Sequence, residues 1–96
     1  MAKSPLRPYL AQRLARASAL RESGKVKEAI TAYRAVLSDN PDLPDSWYNL
    51  GWLLRRAGDP AGALEAYDKA LALRIGQPEE VHLNRGVIFA DDLLDP

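Results

Sequence analysis

Apolar residues recur every three to four positions along almost the whole chain, and glycine or proline cuts the pattern at intervals. From Tyr9 to Ser23 the stripe is Leu10, Leu14, Ala17 and Leu20, the spacing of an amphipathic helix, and Gly24 supplies its stop. A second helix is predicted from Lys25 to Ser38, with Ala29, Ile30, Tyr33, Val36 and Leu37 on one side. It ends at Asn40-Pro41, and Pro41-Asp42-Leu43-Pro44 reads as a linker, because a residue before proline is pushed out of the helical region. A third helix, Asp45 to Ala57, carries Trp47, Leu50, Leu53 and Leu54 and stops at Gly58. Asp59 is placed to cap a fourth helix with Pro60 at its first position, running through Ala63, Leu64, Tyr67, Ala70 and Leu71 to Leu73. Gly76-Gln77-Pro78 breaks the chain again. Pro78-Glu79-Glu80 then opens a fifth helix, with two acids at the positive end of its dipole. No stretch alternates with the period of two that a strand requires, so the fold class is all-α.

The chain also repeats itself. Gly24-Lys25-Val26-Lys27-Glu28-Ala29-Ile30-Thr31-Ala32-Tyr33 matches Gly58-Asp59-Pro60-Ala61-Gly62-Ala63-Leu64-Glu65-Ala66-Tyr67, and Val36-Leu37 matches Ala70-Leu71, every pair 34 residues apart. With Trp47-x-x-Leu50-Gly51, Gly58, Ala63, Tyr67 and Ala70-Leu71 in the second unit, the chain resembles tetratricopeptide repeat proteins over residues 10–96. That resemblance implies antiparallel helix-turn-helix pairs stacked as a right-handed superhelix, here about five helices or two and a half repeats. It implies one domain over 1–96: an arm at 1–8, repeats at 10–43 and 44–77, and a partial third repeat or capping helix at 78–96. Gly51 and Ala17 then fall where two helices approach most closely, with Ala29 and Ala63 opposite. Tyr33 and Tyr67 fill the space between a pair and its successor, and Gly24 and Gly58 make the tight turns. A lone pair cannot bury its stripe, so stacking supplies the stability.

Departures from the pattern carry expectations of their own. Arg13 and Arg16 stand where the second unit has Trp47 and Leu50, which makes the first helix a more polar end element. Ile75 stands where a proline usually closes the repeat, and Gly86 aligns with Gly51 after a one-residue insertion near Gly76. Leu94-Asp95-Pro96 echoes Gly58-Asp59-Pro60, so the chain stops where another helix is due. The expectation is a piece of a longer repeat protein; the alternative is a five-helix unit whose last helix is a solvating cap. A piece would leave some of Ile88, Phe89, Leu93 and Leu94 uncovered, and an apolar patch of that kind favours self-association into a homo-oligomer.

Composition narrows the chemistry. Ninety-six residues leave room for one domain, and the absence of cysteine excludes disulfides, thiolate metal sites and a cysteine nucleophile. The longest apolar runs, such as Val87-Ile88-Phe89-Ala90, are far shorter than the ~18–20 residues of a membrane span, and Arg7, Arg13 and Arg16 interrupt any signal-peptide core. A soluble, cytoplasmic protein is the expectation. Zero net charge conceals a split, with net +6 over residues 1–37 and net −6 over residues 38–96. Such a split suits solvated faces, head-to-tail packing of copies, or a basic nucleic-acid arm on the first helix; the first is preferred. The single histidine, His82, admits no histidine metal cluster, no glycine-rich phosphate loop is present, and the adjacent pairs Glu79/Glu80 and Asp91/Asp92 do not share a helix face. The inventory argues against an enzyme, and no cofactor or metal is expected.

Binding is where the resemblance points. In tetratricopeptide proteins the first helix of each pair lines the concave face, which here places Asp45, Tyr48, Asn49, Trp52, Arg55 and Arg56 on that face. The fifth helix adds Glu80, Leu83, Asn84, Val87 and Asp91, and the first adds Leu14, Ser18, Arg21 and Glu22. Tyr48, Asn49, Trp52, Arg55, Arg56 and Asn84 are the candidate residues for a peptide or protein partner, being rich in the tyrosine, tryptophan and arginine that dominate interfaces. Asn49 and Asn84 fall at equivalent positions, where an amide is placed to bond an extended peptide backbone. The competing reading of Trp52 is packing between neighbouring first helices. Of the clamp by which some family members grip chaperone tails only Asn49 matches; Leu14, Ser18, Glu80 and Asn84 replace the rest, which argues against that ligand. The run Pro78 to Phe89 also resembles the repeat region that precedes sulfotransferase domains in some bacterial proteins, implying a docking piece of a larger enzyme.

Overall fold

The computed structural model describes the backbone of residues 6–93 and side chains from Tyr9 onward. Five helices follow in order: α1 (Leu6–Glu22), α2 (Val26–Asp39), α3 (Pro44–Arg56), α4 (Pro60–Ala72) and α5 (Pro78–Val87). The chain continues from α5 as wider, π-helical turns over Ile88–Leu93, and the described residues contain no strand. Helix α1 starts at Leu6, within what the sequence assigns to an arm at 1–8. Pro8 sits in the first turn, where a missing N–H removes no helical hydrogen bond, so the proline does not delay the helix. Residues 1–5 of the expected arm lie outside the described residues, as do Leu94, Asp95 and Pro96 with their echo of Gly58-Asp59-Pro60.

Three helix ends share one geometry. After α1, Lys25 N–H reaches back to the Leu20 carbonyl at 3.0 Å while Gly24 adopts φ +77°. After α3, Asp59 N–H reaches the Leu54 carbonyl at 2.8 Å with Gly58 at φ +88°. These are the expected left-handed glycine stops. At the end of α4 the left-handed residue is not a glycine but Arg74, at φ +61°, and Ile75 N–H closes the motif on the Ala70 carbonyl at 3.2 Å. Gly76 takes no such conformation. The reason is packing, since the wrap over α4 carries Ile75 into the core, where it is 8% exposed. The start of α4 is as expected, with the Asp59 carboxylate accepting the Gly62 N–H at 2.9 Å.

Successive helices pack on one another, α1 on α2, α2 on α3, α3 on α4 and α4 on α5, giving a body of 54 × 27 × 18 Å. One core runs along it, with Ala17, Ala29, Tyr33, Leu37, Leu50, Leu53, Ala63, Tyr67, Ala70, Val81 and Ile88 all buried. Tyr67 packs within its own helix pair: a Cβ built on Gly51 would lie 2.6 and 2.7 Å from its ring carbons and 3.1 Å from the Ala63 carbonyl. That explains the glycine at closest approach. Gly86, its counterpart by alignment, has nothing within 4 Å of such a Cβ. Arg13, standing where the second unit has Trp47, is ion-paired with Asp39 at 2.9 Å and lies over the Tyr9 ring. Ile88, expected among the uncovered residues, is fully buried, because the wide turns after α5 fold it against α4; Phe89 and Leu93 stay exposed and Leu94 lies outside the described residues.

Candidate functional site

Helical spacing on α3 brings Tyr48, Asn49, Trp52, Arg55 and Arg56 to one side of that helix. Side-chain contacts then tie this side to α1 on one flank and to α5 on the other. On the α5 flank, the Asn84 amide donates both to the Tyr48 hydroxyl, at 3.0 Å, and to the Glu80 carbonyl, at 2.8 Å. The Tyr48 hydroxyl in turn faces the Glu80 carboxylate at 3.5 Å. Beneath it the Tyr48 ring rests on Tyr67, with centroids 5.6 Å apart. Burial pushes the Tyr48 phenol up from its ordinary value; the Glu80 charge adds to the shift and the Asn84 hydrogen bond opposes it. A cleft of about 560 Å³ opens beside this cluster, lined by Asp45, Tyr48, Asn49, Gln77 and Glu80.

On the α1 flank, the Trp52 indole carries two guanidinium groups, Arg21 at 5.1 Å and Arg56 at 4.8 Å from the ring centre. Trp52 is half-buried and therefore both packs between first helices and meets solvent. Arg55 has another role. Its Nε donates to the Asp92 carboxylate at 2.6 Å, with Asp91 at 3.8 Å, so the last turns are fastened to α3. The hydrogen bond that Arg55 donates to Asp92 leads the causes that raise the Arg55 pKa.

The six candidate residues thus form two clusters along one helix. Tyr48 and Asn49 border the cleft, with Asn84 bonded to the Tyr48 hydroxyl behind it; Trp52 and Arg56 form the stacked pair, and Arg55 is diverted to the chain's own carboxylates. Asn49 and Asn84 hold equivalent register but do different work: Asn49 lines the cleft, while the Asn84 amide is already engaged. Leu14 and Ser18 are half-buried, Leu83 is 68% exposed and Val87 is half-buried. Two contributors stood outside the candidate set. Arg21 lies 34 residues before Arg55, so the repeat itself marks its position. Asp92 reads in sequence as a surface charge, and only the wide turns after α5 bring it to Arg55.

The opposite side belongs to α2 and α4. There the Trp47 indole N–H donates to the Pro41 carbonyl at 2.7 Å, Lys69 lies over its ring, and a groove of about 430 Å³ is bordered by Arg34, Trp47, Glu65 and Lys69. His82 is exposed. Among the described residues no group of three or more His, Cys, Asp or Glu side chains is placed to hold a metal ion, and no helix is long and apolar enough to cross a membrane.

Comparison with known proteins agrees with this architecture. Protein FlbA of Caulobacter vibrioides is 40% identical over 57 residues, which cover 59% of this chain and 10% of that protein. The chain therefore spans about a tenth of the length of this relative. The narrower likeness of residues 78–89 to sulfotransferase-linked repeats is supported by neither this relative nor the family match. The tetratricopeptide repeat profile matches residues 14–78, which take in both copies of the 34-residue period, and on that match, with five helices stacked in sequence, the chain belongs to the tetratricopeptide repeat family.

Proposed function

We propose that the chain is a non-enzymatic protein-interaction module that binds an extended peptide or partner segment on the face shared by α1, α3 and α5. Members of its family generally mediate protein–protein interaction, which supplies the class of function. The observation that supports the site is the row along α3: a polar cleft at Tyr48 and Asn49, then a half-buried tryptophan contacted by two arginines. Such a row combines an apolar platform with fixed donors and acceptors, the combination found at interface anchors. Asn49 is placed to bond a peptide backbone, Tyr48 and Trp52 to cover apolar side chains, and Arg56 to take an acid. Arg55 and Asn84 serve by holding Asp92 and Tyr48 in place.

Trp52→Ala and Arg56→Ala are expected to weaken capture of partners while leaving far-ultraviolet circular dichroism unchanged. Recovery of the same partners at the same strength by both variants overturns the assignment. A second reading, self-association or docking within a longer protein, is favoured by Phe89 at 40% and Leu93 at 43% exposure beside one another on the last turns. With Ile88 buried, that patch is smaller than the apolar sequence suggests. Light scattering over a concentration series tests the first half: a strict monomer at high concentration removes self-association. Membrane and nucleic-acid partners form no part of the proposal, since Glu80, Asp91 and Asp92 on the same face oppose a long polyanion.

A further inference from the structure

We propose that the Arg21–Trp52–Arg56 stack is a carboxylate subsite, which receives an aspartate or glutamate side chain from within an acidic segment of the partner. This rests on the reading of the α1–α3–α5 face as the peptide-binding face and adds the ligand's chemistry to it.

Three observations carry the inference. The first is a contrast among arginines. Arg13, Arg55 and Arg85 each hold a carboxylate of this chain, at 2.9, 2.6 and 2.9 Å. Among the described residues Arg16, Arg21, Arg34, Arg56 and Arg74 hold none, and of these only Arg21 and Arg56 are fixed against an aromatic ring, the same one. The second is an orphan donor: Arg21 Nε and Arg85 Nε are both buried without a hydrogen bond, but Arg85 Nε lies 2.9 Å from the Asp68 carboxylate, whereas Arg21 Nε has no such neighbour among the described residues. Buried donors are normally satisfied, so the open Nε marks a guanidinium whose charge the chain itself leaves uncompensated, with its outer N–H groups left to meet an acid. The third is geometry. A guanidinium stacked on a ring uses its π-face and leaves its in-plane N–H groups free, in the fork that matches a carboxylate. Both guanidinium carbons lie close to one indole, hence at most about 10 Å apart, so a carboxylate docked on either one also feels the charge of the other.

Charge selects the occupant. Residues 1–37 carry net +6, which draws an acidic segment toward α1. Farther along the same face stand Asp45, Glu80, Asp91 and Asp92, which repel any anion that continues past Trp52. A short acidic stretch fits this layout and a nucleic-acid backbone does not. The stack lies within the row of first helices, so a bound chain extends to both sides of it; that favours a side chain over a chain terminus.

The test uses the whole 96-residue chain, labelled with nitrogen-15, and reads the two indole N–H resonances. Trp47, bonded to Pro41 on the opposite side, is the internal control for Trp52. The probes are a capped peptide of alternating glutamate and serine, its glutamine counterpart, the glutamine peptide with a free C-terminus, and inorganic phosphate. The glutamate peptide is expected to move the Trp52 resonance and spare Trp47. It should bind at least tenfold more tightly than the glutamine peptide, and Arg21→Gln and Arg56→Gln should each weaken it about tenfold. Equal binding of the glutamate and glutamine peptides at Trp52 overturns the subsite and leaves the groove reading standing. Equal binding of the free-terminus peptide or of phosphate overturns the side-chain assignment, and no movement at all overturns the proposal. A peptide that moves Trp47 but not Trp52 overturns the choice of face itself.

Discussion

Replacing Gly51 by alanine adds one methyl group at the tightest point between α3 and α4. On helix propensity alone the change stabilises, by about 1 kcal/mol, because alanine loses less backbone freedom than glycine. The surroundings reverse the sign. The new Cβ would lie 2.6 and 2.7 Å from two ring carbons of Tyr67 and 3.1 Å from the Ala63 carbonyl. The ring cannot swing aside, since Tyr67 is 1% exposed and stacked against Tyr48, and the carbonyl belongs to the α4 backbone. Relief therefore requires the two helices to part. Overpacking of this kind costs roughly 1–3 kcal/mol, and backbone involvement places it at the upper end. The net expectation is a loss of about 2 kcal/mol, a fall in Tm of roughly 10 °C for a domain of this size. Gly86→Ala is the matched control: it lies in α5 at the aligned position, but nothing stands within 4 Å of its Cβ, so propensity acts alone and stability rises by about 0.5–1 kcal/mol. Urea unfolding followed by circular dichroism measures both. If Gly51→Ala is as stable as the parent, or both variants shift the same way, the pinned-ring argument is wrong.

Other expectations follow from single features. Arg74 holds a left-handed backbone, so Arg74→Gly relieves strain and should raise stability by about 0.5–1 kcal/mol in the same urea assay; a decrease would show that the arginine side chain matters more than its φ. The Tyr67 phenol is pushed up to about 12, first by burial and then by Tyr48. A raised phenol favours the protonated form in the fold, so its contribution is complete below pH 10 and is lost as pH rises toward 12. Tyr67→Phe should flatten that alkaline slope, and an unchanged slope would contradict the assignment. Asp92→Asn removes a partly exposed ion pair from Arg55, so global stability should change by less than about 1 kcal/mol, while amide exchange over Ile88–Leu93 should accelerate. Exchange rates equal to the parent's would mean that the pair does not hold the last turns.

Legibility in the sequence followed the kind of constraint each element answers to. Gly24 and Gly58 were readable because only a backbone requirement places glycine at the same point of two periods. That Gly51 stands at a close approach to the Ala63 segment was readable through size, but the Tyr67 ring against it was not, because the pattern puts that tyrosine between one pair and the next. Arg74 was not, because its left-handed turn is enforced by the burial of Ile75, and Gly76 two residues later is the more obvious stop. Ile88 was misplaced because the turns widen after Val87 and shift the phase that a 3.6-residue period assumes. The binding face was legible as a set of positions, but pairing within it was not. Whether Arg55 is free or held depends on where Asp91 and Asp92 arrive in space, whereas Arg56, one residue on, rests on an indole instead.

Tyr48 belongs to two systems at once. Its ring is part of the contact with Tyr67 in the α3–α4 pair, while its hydroxyl is the anchor to which Asn84 ties α5. Any occupant that competes for that hydroxyl loosens the joint between the second helix pair and the element after it. That joint has other ties, Arg85 on Asp68 at 2.9 Å and Arg55 on Asp92 at 2.6 Å, so an occupant that took the Tyr48 hydroxyl would undo one of several fastenings and leave α5 docked.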